Sequence, residues 1–249
     1  MIITKCLIAC DLNEIYLDFY PIVRKYWKEI VGIDTVLILI SDKIPDNMKE
    51  YENEIILFNP IPNIHTAFQA QCIRILYPSL LSFNIIISDM DLIPLNRKYY
   101  IDNIRNIENN DSFIIYRDVI SEYKQYPICF CLANSKIWED IFDIHNENDI
   151  IERLKLWYKM YDNYQISSAY SLSWACDQLQ LFEYVNNWKH QDKVIKLKDE
   201  DTKFNRLDRM DILHIENDLD KYKLLILSDL YSDFHLPRPL NQFNISKIL

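Results

Sequence analysis

Residues 83–95, FNIIISDMDLIPL, contain the stretch that decides the fold. Residues 85–87 form a short β-branched run, which is typical of a strand buried on both faces of a parallel sheet. Asp89 and Asp91 follow this run directly. Because open α/β sheets bind ligands at the carboxyl ends of their strands, we expect both carboxylates to lie at a binding site.

The spacing of the two aspartates suggests a metal site. If residues 89–91 stay extended, both side chains point the same way, since strand side chains repeat every two residues. Two carboxylates about 4 Å apart repel by about 4 kcal/mol at an effective dielectric near 20. A hard divalent cation with oxygen ligands removes that repulsion. The alternative is that Asp89 and Asp91 simply open a loop.

Composition indicates a globular domain that needs a cation or a basic patch to bind an anion. The chain has 249 residues, of which 49% are hydrophobic and 26% charged, and this is typical of a folded domain. Its net charge of -10 argues against nonspecific binding to nucleic acid. The first ten residues predict neither a signal peptide nor a membrane span, so a cytoplasmic protein is expected.

Glycine is almost absent. Gly32 is the single glycine of the sequence. A P-loop and the dinucleotide-binding turn both need glycines so that the backbone can approach phosphate, so both are excluded. A bound diphosphate must therefore be held by a metal and by side chains.

The cysteine pattern predicts reduced thiols. The six cysteines contain no C-x-x-C pair and lie in apolar contexts. Buried thiols in a cytosolic protein are favoured over disulfides, and a zinc site has little support.

The first 107 residues alternate between strands and helices. Strands are predicted over 5–10, 36–40, 54–58 and 85–87, and helices over 16–30, 46–53, 65–77 and 95–107. Such alternation is typical of a doubly wound α/β fold with a mostly parallel sheet. The later pattern is looser: strands are expected over 112–116, 128–133, 194–197, 212–215 and 224–227, helices over 135–142, 147–161 and 174–185, and an irregular tail over 228–249.

Several segments, taken in order, resemble those of the GT-A class of metal-dependent glycosyltransferases. They are the first strand ending in Asp11, TAFQAQCIRILYP (66–78), IIISDMD (85–91) and WACDQ (174–178). NRLDR (205–209) and SDFHLPRP (232–239) look like segments of uncharacterised and viral members. The resemblance implies a single GT-A, Rossmann-like domain over 1–249. Residues 1–107 would bind the nucleotide sugar, and 108–249 would form the acceptor side and tail.

The resemblance also implies an activity and a cofactor. Members of the class move a sugar from a nucleoside diphosphate, commonly uridine diphosphate, to a glycan, protein or small-molecule acceptor. Asp89 and Asp91 would hold Mn²⁺ or Mg²⁺ between the donor phosphates, with Asp91 nearer the metal and Asp89 near the ribose. Asp11 and Ser88 would lie on the donor side.

Two further segments would contribute to the same site. Gln71 and Arg74 share a helix face and would reach the donor, although Arg74 could instead be a surface arginine. Asp177 lies in an apolar stretch, so it must be paired or functional. By resemblance it would deprotonate the acceptor in an inverting enzyme, or line the donor sugar with Gln178 in a retaining one.

The C-terminal segment would complete the metal site. His235 is preferred as the third metal ligand and Arg238 as a contact to the diphosphate, with His214 as the other candidate ligand. The sequence lacks the glycine and the Lys-Pro-Trp ending of the glycogenin-like group, which puts this transfer in doubt. Arg206 and Arg209 could add positive charge near an anionic donor or form surface ion pairs.

Three other functions are alternatives to sugar transfer. A sugar-nucleotide pyrophosphorylase needs a glycine-rich loop after its first strand, where this chain has residues 11–13, DLN. A phosphatase with an aspartyl nucleophile carries its Asp-x-Asp after the first strand, not the fourth. A non-catalytic module that binds nucleotide sugars stays open, as do the donor sugar and the acceptor.

Overall fold

The central strand predicted from residues 85–87 lies in the middle of a seven-stranded sheet. The computed structural model describes residues 1–107, 110–161 and 174–240. The strands are β1 Lys5–Asp11, β2 Asp34–Ile40, β3 Ile55–Phe58, β4 Asn84–Ile87, β5 Leu92–Pro94, β6 Phe113–Ile115, β7 Cys131–Asn134, β8 Val194–Lys196, β9 Asn205–Leu207 and β10 Tyr231–His235. The large sheet has the order β3-β2-β1-β4-β7-β6-β8.

The large sheet is mostly parallel, as predicted. β7 runs antiparallel to β4 and β6, whereas the other neighbouring strands of this sheet pair in parallel. All four residues of β4 are buried, which fits a strand covered on both faces. Ile86 belongs to the apolar cluster on one face, while Ile85 and Ile87 belong to the cluster on the other.

Helices cover both faces of this sheet. They are α1 Glu14–Leu17, α2 Tyr20–Tyr26, α3 Thr66–Leu76, α4 Arg97–Ile101, α5 Ser135–Phe142, α6 Glu147–Met160, α7 Cys176–Asn187, α8 Asp199–Thr202, α9 Ile212–Asn217 and α10 Leu219–Leu227. The helices predicted over 65–77, 135–142 and 147–161 are confirmed. The single helix predicted over 16–30 is instead α1, α2 and a π-helical turn at Trp27–Val31.

The predicted helix over 95–107 is shorter than expected, and the one over 46–53 is a 3₁₀ helix, Asp46–Glu54. All six cysteines are free and buried, as predicted. Among the described residues, no helix is both long enough and apolar enough to cross a bilayer.

A crevice lies where the direction of the chain across the sheet reverses. β1 has β2 on one side and β4 on the other, and it is parallel to both. The chain reaches β4 through α3, after β2 and β3 have formed on the opposite side. This is a topological switch point, where doubly wound folds bind ligands beyond the carboxyl ends of the strands.

A second, three-stranded sheet has the order β5-β10-β9. The C-terminal part of the chain differs from the sequence prediction. Residues 212–215 and 224–227 were predicted as strands but lie in α9 and α10, so those predictions were wrong. Short apolar runs do not distinguish a strand from a helix. The tail predicted to be irregular contains β10, and its residues 241–249 lie outside the described part of the chain.

Candidate active site

A cavity of about 240 Å³ opens at the switch point between β1 and β4. It is lined by Ala9, Cys10, Asp11, Asn13, Tyr16, Ala67, Ala70, Gln71, Arg74, Asp89, Met90, Asp91, Trp174, Asp177, Gln178, Arg209, His235 and Arg238. The lining combines four aspartates with three arginines and a histidine. Such a concentration of charge in one cleft is typical of a functional site.

Asp11 connects the end of β1 to the start of α3. One carboxylate oxygen accepts a hydrogen bond from the Thr66 hydroxyl at 2.8 Å, and the other accepts the backbone N–H of Asn13 at 3.1 Å. Asn13 in turn caps α1. Asp11 therefore fixes the loop that forms one wall of the cavity.

Asp89 and Asp177 share one arginine. Arg74 projects from α3, and its guanidinium donates one hydrogen bond to Asp89 and another to Asp177, the latter at 2.8 Å. We call these three residues the Asp89 end of the cavity. The side chain of Asp177 has no solvent exposure, so Arg74 offsets the cost of burying this charge.

Asp177 has further partners at the start of α7. Its Oδ1 accepts from the Gln71 side chain at 3.2 Å and from the backbone N–H of Gln178 at 2.8 Å. The Gln71 amide also donates to the carbonyl of Trp174. Both carboxylate oxygens are therefore hydrogen-bonded, which joins α7 to α3 across the cavity.

Asp91 is held by a different set of groups. Its Oδ2 lies 3.1 Å from Arg209, 3.2 Å from Arg238 and 3.4 Å from Nε2 of His235. We call these four residues the Asp91 end of the cavity. Three basic side chains thus converge on one oxygen of a carboxylate that is only 6% exposed.

The small sheet brings these groups to Asp91. β10 pairs antiparallel with β5, so that His235 lies opposite Leu92. The backbone N–H of Leu236 donates to the carbonyl of Asp91 at 2.8 Å. Arg238 follows three residues after His235, and its guanidinium stacks over the Tyr16 ring at 5.0 Å.

The pKa values of the two aspartates of the D-x-D motif are shifted in opposite directions. Burial acts to raise the pKa of Asp89, but Arg74 and His235 outweigh it, so this pKa lies below its usual range. Burial raises the pKa of Asp91, and the charge of Asp89 raises it further against the opposing effect of His235. Burial likewise raises the pKa of Asp177, although Arg74 opposes it.

The structure gathers most of the predicted site residues. Asp11, Gln71, Arg74, Asp89, Asp91, Asp177, Gln178, His235 and Arg238 all line the cavity. Ser88 does not line it, since the residue is fully buried and its N–H donates to the Leu7 carbonyl. His214 lies exposed on α9 rather than at a strand end, and it is not part of the cavity lining.

Arg206 and Arg209 have different places relative to the cavity. Arg209 lines the cavity at the Asp91 end, whereas Arg206 is absent from the lining and pairs with Asp233 at 2.6 Å. Neither is a simple surface ion pair.

The lining residues that were not predicted include the polar and aromatic side chains of Asn13, Tyr16 and Trp174. The position of Asn13 and Tyr16 just after the first strand was an available signal, because this strand end was already expected to face the ligand.

The motif does not stay extended. Met90 and Asp91 form a turn ahead of β5, so Asp89 and Asp91 face different partners across the same cavity. Among the described residues, no group of three or more His, Cys, Asp and Glu side chains is arranged so that it could hold a metal ion. As the side chains stand, arginines occupy the positions beside both carboxylates.

Comparison with known proteins supports the fold. No protein-family model and no curated protein matches the sequence. The structure is similar to glycosyltransferase GlyE of Streptococcus pneumoniae TIGR4, with a TM-score of 0.55 at 16% identity, over 98% of this chain and 58% of GlyE. The apo form of GlyE gives 0.51 at 14% identity, over 98% and 57% of the two chains. The chain therefore has a glycosyltransferase-type α/β fold, and it spans less than two thirds of GlyE.

Proposed function

We propose that the protein transfers a sugar from a nucleoside diphosphate sugar to the hydroxyl group of an acceptor. One observation carries the proposal: the D-x-D aspartates share a cavity at the switch point with Arg209, His235 and Arg238. Because one fold can host many functions, this site carries more weight than the similarity to GlyE. Uridine diphosphate is the first nucleotide to test, on the resemblance alone.

The basic side chains of the Asp91 end suit a diphosphate. Guanidinium groups bind phosphate oxygens through paired, charge-assisted hydrogen bonds. Arg209 and Arg238 both contact Asp91, so the donor phosphates would compete with this carboxylate for them. An acidic protein thereby gains the local positive charge that an anionic donor needs.

The chemistry of the side chains also suits a divalent cation. Asp89 and Asp91 offer carboxylate oxygens, and His235 offers an imidazole nitrogen, on the same cavity. These are ligands that Mn²⁺ accepts, and the oxygens also suit Mg²⁺. A cation bound by them would supply charge neutralisation of the leaving diphosphate.

Asp177 is the proposed catalytic carboxylate. Transfer breaks the bond from the anomeric carbon to the phosphate oxygen and forms one to the acceptor oxygen, whose proton must leave. In an inverting reaction Asp177 would accept this proton, and its burial, which raises the pKa, favours that role. In a retaining reaction it would line the donor sugar beside Gln178.

The proposal is tested by calorimetric titration with uridine, guanosine and cytidine diphosphates, with and without Mn²⁺. We expect Mn²⁺-dependent binding of one nucleotide, and release of that nucleotide from its sugar conjugate when an acceptor is supplied. Asp91→Asn should abolish this release and leave the fold intact. Asp42→Asn, at an exposed aspartate, is the matched control and should retain activity.

The other outcomes separate the alternatives. Binding without turnover for any sugar conjugate would favour a non-catalytic module. Turnover that requires inorganic pyrophosphate would favour a pyrophosphorylase. Normal sugar transfer by Asp91→Asn would contradict the assignment of the cation to the D-x-D motif.

A further inference from the structure

The imidazole of His235 lies between two carboxylates. Its Nδ1 is 3.3 Å from Oδ2 of Asp208, and its Nε2 is 3.4 Å from Oδ2 of Asp91. The Asp91 oxygen already receives Arg209 and Arg238. In the described part of the chain no arginine forms an ion pair with Oδ2 of Asp208, so Asp208 is the better acceptor for the ring.

Asp208 is itself fixed by the backbone. Its Oδ1 accepts the N–H of Met210 at 3.0 Å, and its own N–H donates to the Asp211 carboxylate at 3.1 Å. The side chains of Asp208 and Asp211 each accept the other's backbone N–H, which forms a capping box at the 3₁₀ helix Arg209–Asp211. One oxygen of Asp208 therefore serves the helix, and the other is left to face His235.

We propose that Asp208 is a positioning residue, which accepts the Nδ1–H of His235 and so leaves the lone pair on Nε2, the ring nitrogen that faces the cavity. An ionised carboxylate only accepts hydrogen bonds, so the ring nitrogen facing it must carry the hydrogen. Arg209 lies closer to Nε2 than to Nδ1, and because a guanidinium only donates, it also favours a lone pair on Nε2. The inference rests on the proposed function only where it assigns Nε2 to a cation.

Such an arrangement has a known consequence for metal binding. Histidine ligands commonly donate their second N–H to a carboxylate, and loss of that partner lowers metal affinity by about 10- to 100-fold. The sequence conceals this role, since Asp208 is 27 residues from His235 along the chain. Only the parallel pairing of β9 with β10 brings the two together.

Asp208→Asn tests the inference with little risk to the fold. Asparagine is as good an N-cap as aspartate, so its amide oxygen should keep the bond to Met210. Its NH₂ group would then face Nδ1 and donate a hydrogen bond to it. This favours the other tautomer of His235, with the hydrogen on Nε2. Asp211→Asn is the matched control, because it alters the same capping box and does not touch His235.

Two measurements decide the outcome. The ¹⁵N shifts of the His235 ring, assigned with His235→Gln, should show hydrogen on Nδ1 in the metal-free wild type and Asp211→Asn, and on Nε2 in Asp208→Asn. Mn²⁺ affinity, from the electron paramagnetic resonance of free Mn²⁺, should fall about 10- to 100-fold in Asp208→Asn and less than about twofold in Asp211→Asn.

The outcomes distinguish this inference from the proposed function. Hydrogen on Nε2 in the wild type would overturn it, as would an unchanged tautomer or unchanged Mn²⁺ affinity in Asp208→Asn. If the wild type carries the hydrogen on Nδ1, Asp208→Asn reverses it and neither binds Mn²⁺, the positioning role stands and the cation assignment fails.

Discussion

The two ends of the cavity hold their carboxylates by different means. At the Asp89 end, one arginine from α3 serves both Asp89 and a fully buried Asp177. At the Asp91 end, three basic groups from the C-terminal segment serve a single aspartate. Within the described part of the chain, Asp177 has no second cation beside Arg74, whereas Asp91 has more than one. This difference predicts where a substitution damages the fold and where it damages binding.

The largest effect on stability is expected for Arg74→Ala at the Asp89 end. The substitution leaves Asp177 buried without its ion-pair partner, and removing one member of such a pair costs about 3–5 kcal/mol of unfolding free energy. Urea denaturation measures the loss. Arg105→Ala, at a surface pair, should stay within about 0.5 kcal/mol of the wild type. A loss below about 1 kcal/mol for Arg74→Ala would mean that the Asp89 end does not depend on this arginine.

A smaller loss of unfolding free energy is expected for Arg206→Ala, at an arginine that is not part of the cavity lining. Asp233 is also fully buried and bonded to Arg206 at 2.6 Å, but Arg117 lies 3.6 Å from its other oxygen. Because that second cation remains, the loss should be close to one charged hydrogen bond, about 2 kcal/mol. The same urea titration applies. If Arg206→Ala lowered the unfolding free energy more than Arg74→Ala does, a second arginine beside a buried aspartate would not protect the fold, and the proposed contrast would be wrong.

The Asp89 end was predictable from sequence because its parts are local. A buried run followed by two aspartates defines β4, and the alternation of strands and helices places α3 before it in the chain. Arg74 precedes Asp89 by 15 residues, and the helical spacing that put Gln71 and Arg74 on one face needs no knowledge of the tertiary structure. Asp177 could be flagged since a carboxylate in an apolar stretch needs a partner.

The Asp91 end could be predicted only in part. His235 and Arg238 were chosen by resemblance, and Arg209 was left between two roles. What fixes them is the pairing of β10 with β5, across about 140 residues of chain, and with β9. β9 and β10 are short and contain polar residues, so they lack the apolar periodicity that identifies a strand. The short apolar runs of α9 and α10 led instead to the wrong prediction of strands there.

Arg238→Ala should affect binding far more than folding. Asp91 keeps Arg209 at 3.1 Å, so the loss of unfolding free energy should stay below about 1 kcal/mol, as for partly exposed ion pairs. If Arg238 binds the donor phosphates, the affinity for the nucleotide should fall about tenfold, since a charged hydrogen bond contributes about 1.5 kcal/mol. Calorimetry with uridine diphosphate and Mn²⁺ measures this. Unchanged affinity would remove Arg238 from the phosphate site.

The smallest effect is a pH dependence at Asp208, which supports the Asp91 end. The hydrogen bond with His235 lowers the pKa of Asp208 to about 2, with smaller help from the Met210 N–H. A carboxylate with a lowered pKa stabilises the fold above its unfolded pKa of about 3.9 and loses that effect as the pH falls through the folded value. The stability advantage of the wild type over Asp208→Asn should therefore be constant above about pH 5 and shrink towards pH 2.

The magnitude of this advantage should be below about 1 kcal/mol, because Asp208 is 39% exposed and solvent screens its charge. Burial raises the pKa of Asp91 and Asp177 and gives them the opposite pH dependence. Both proteins carry these two residues, so their contribution cancels in the difference. Urea midpoints at pH 6, 4, 3 and 2.5 measure it. A difference that stays constant over this range would show that the Asp208–His235 bond does not contribute to stability.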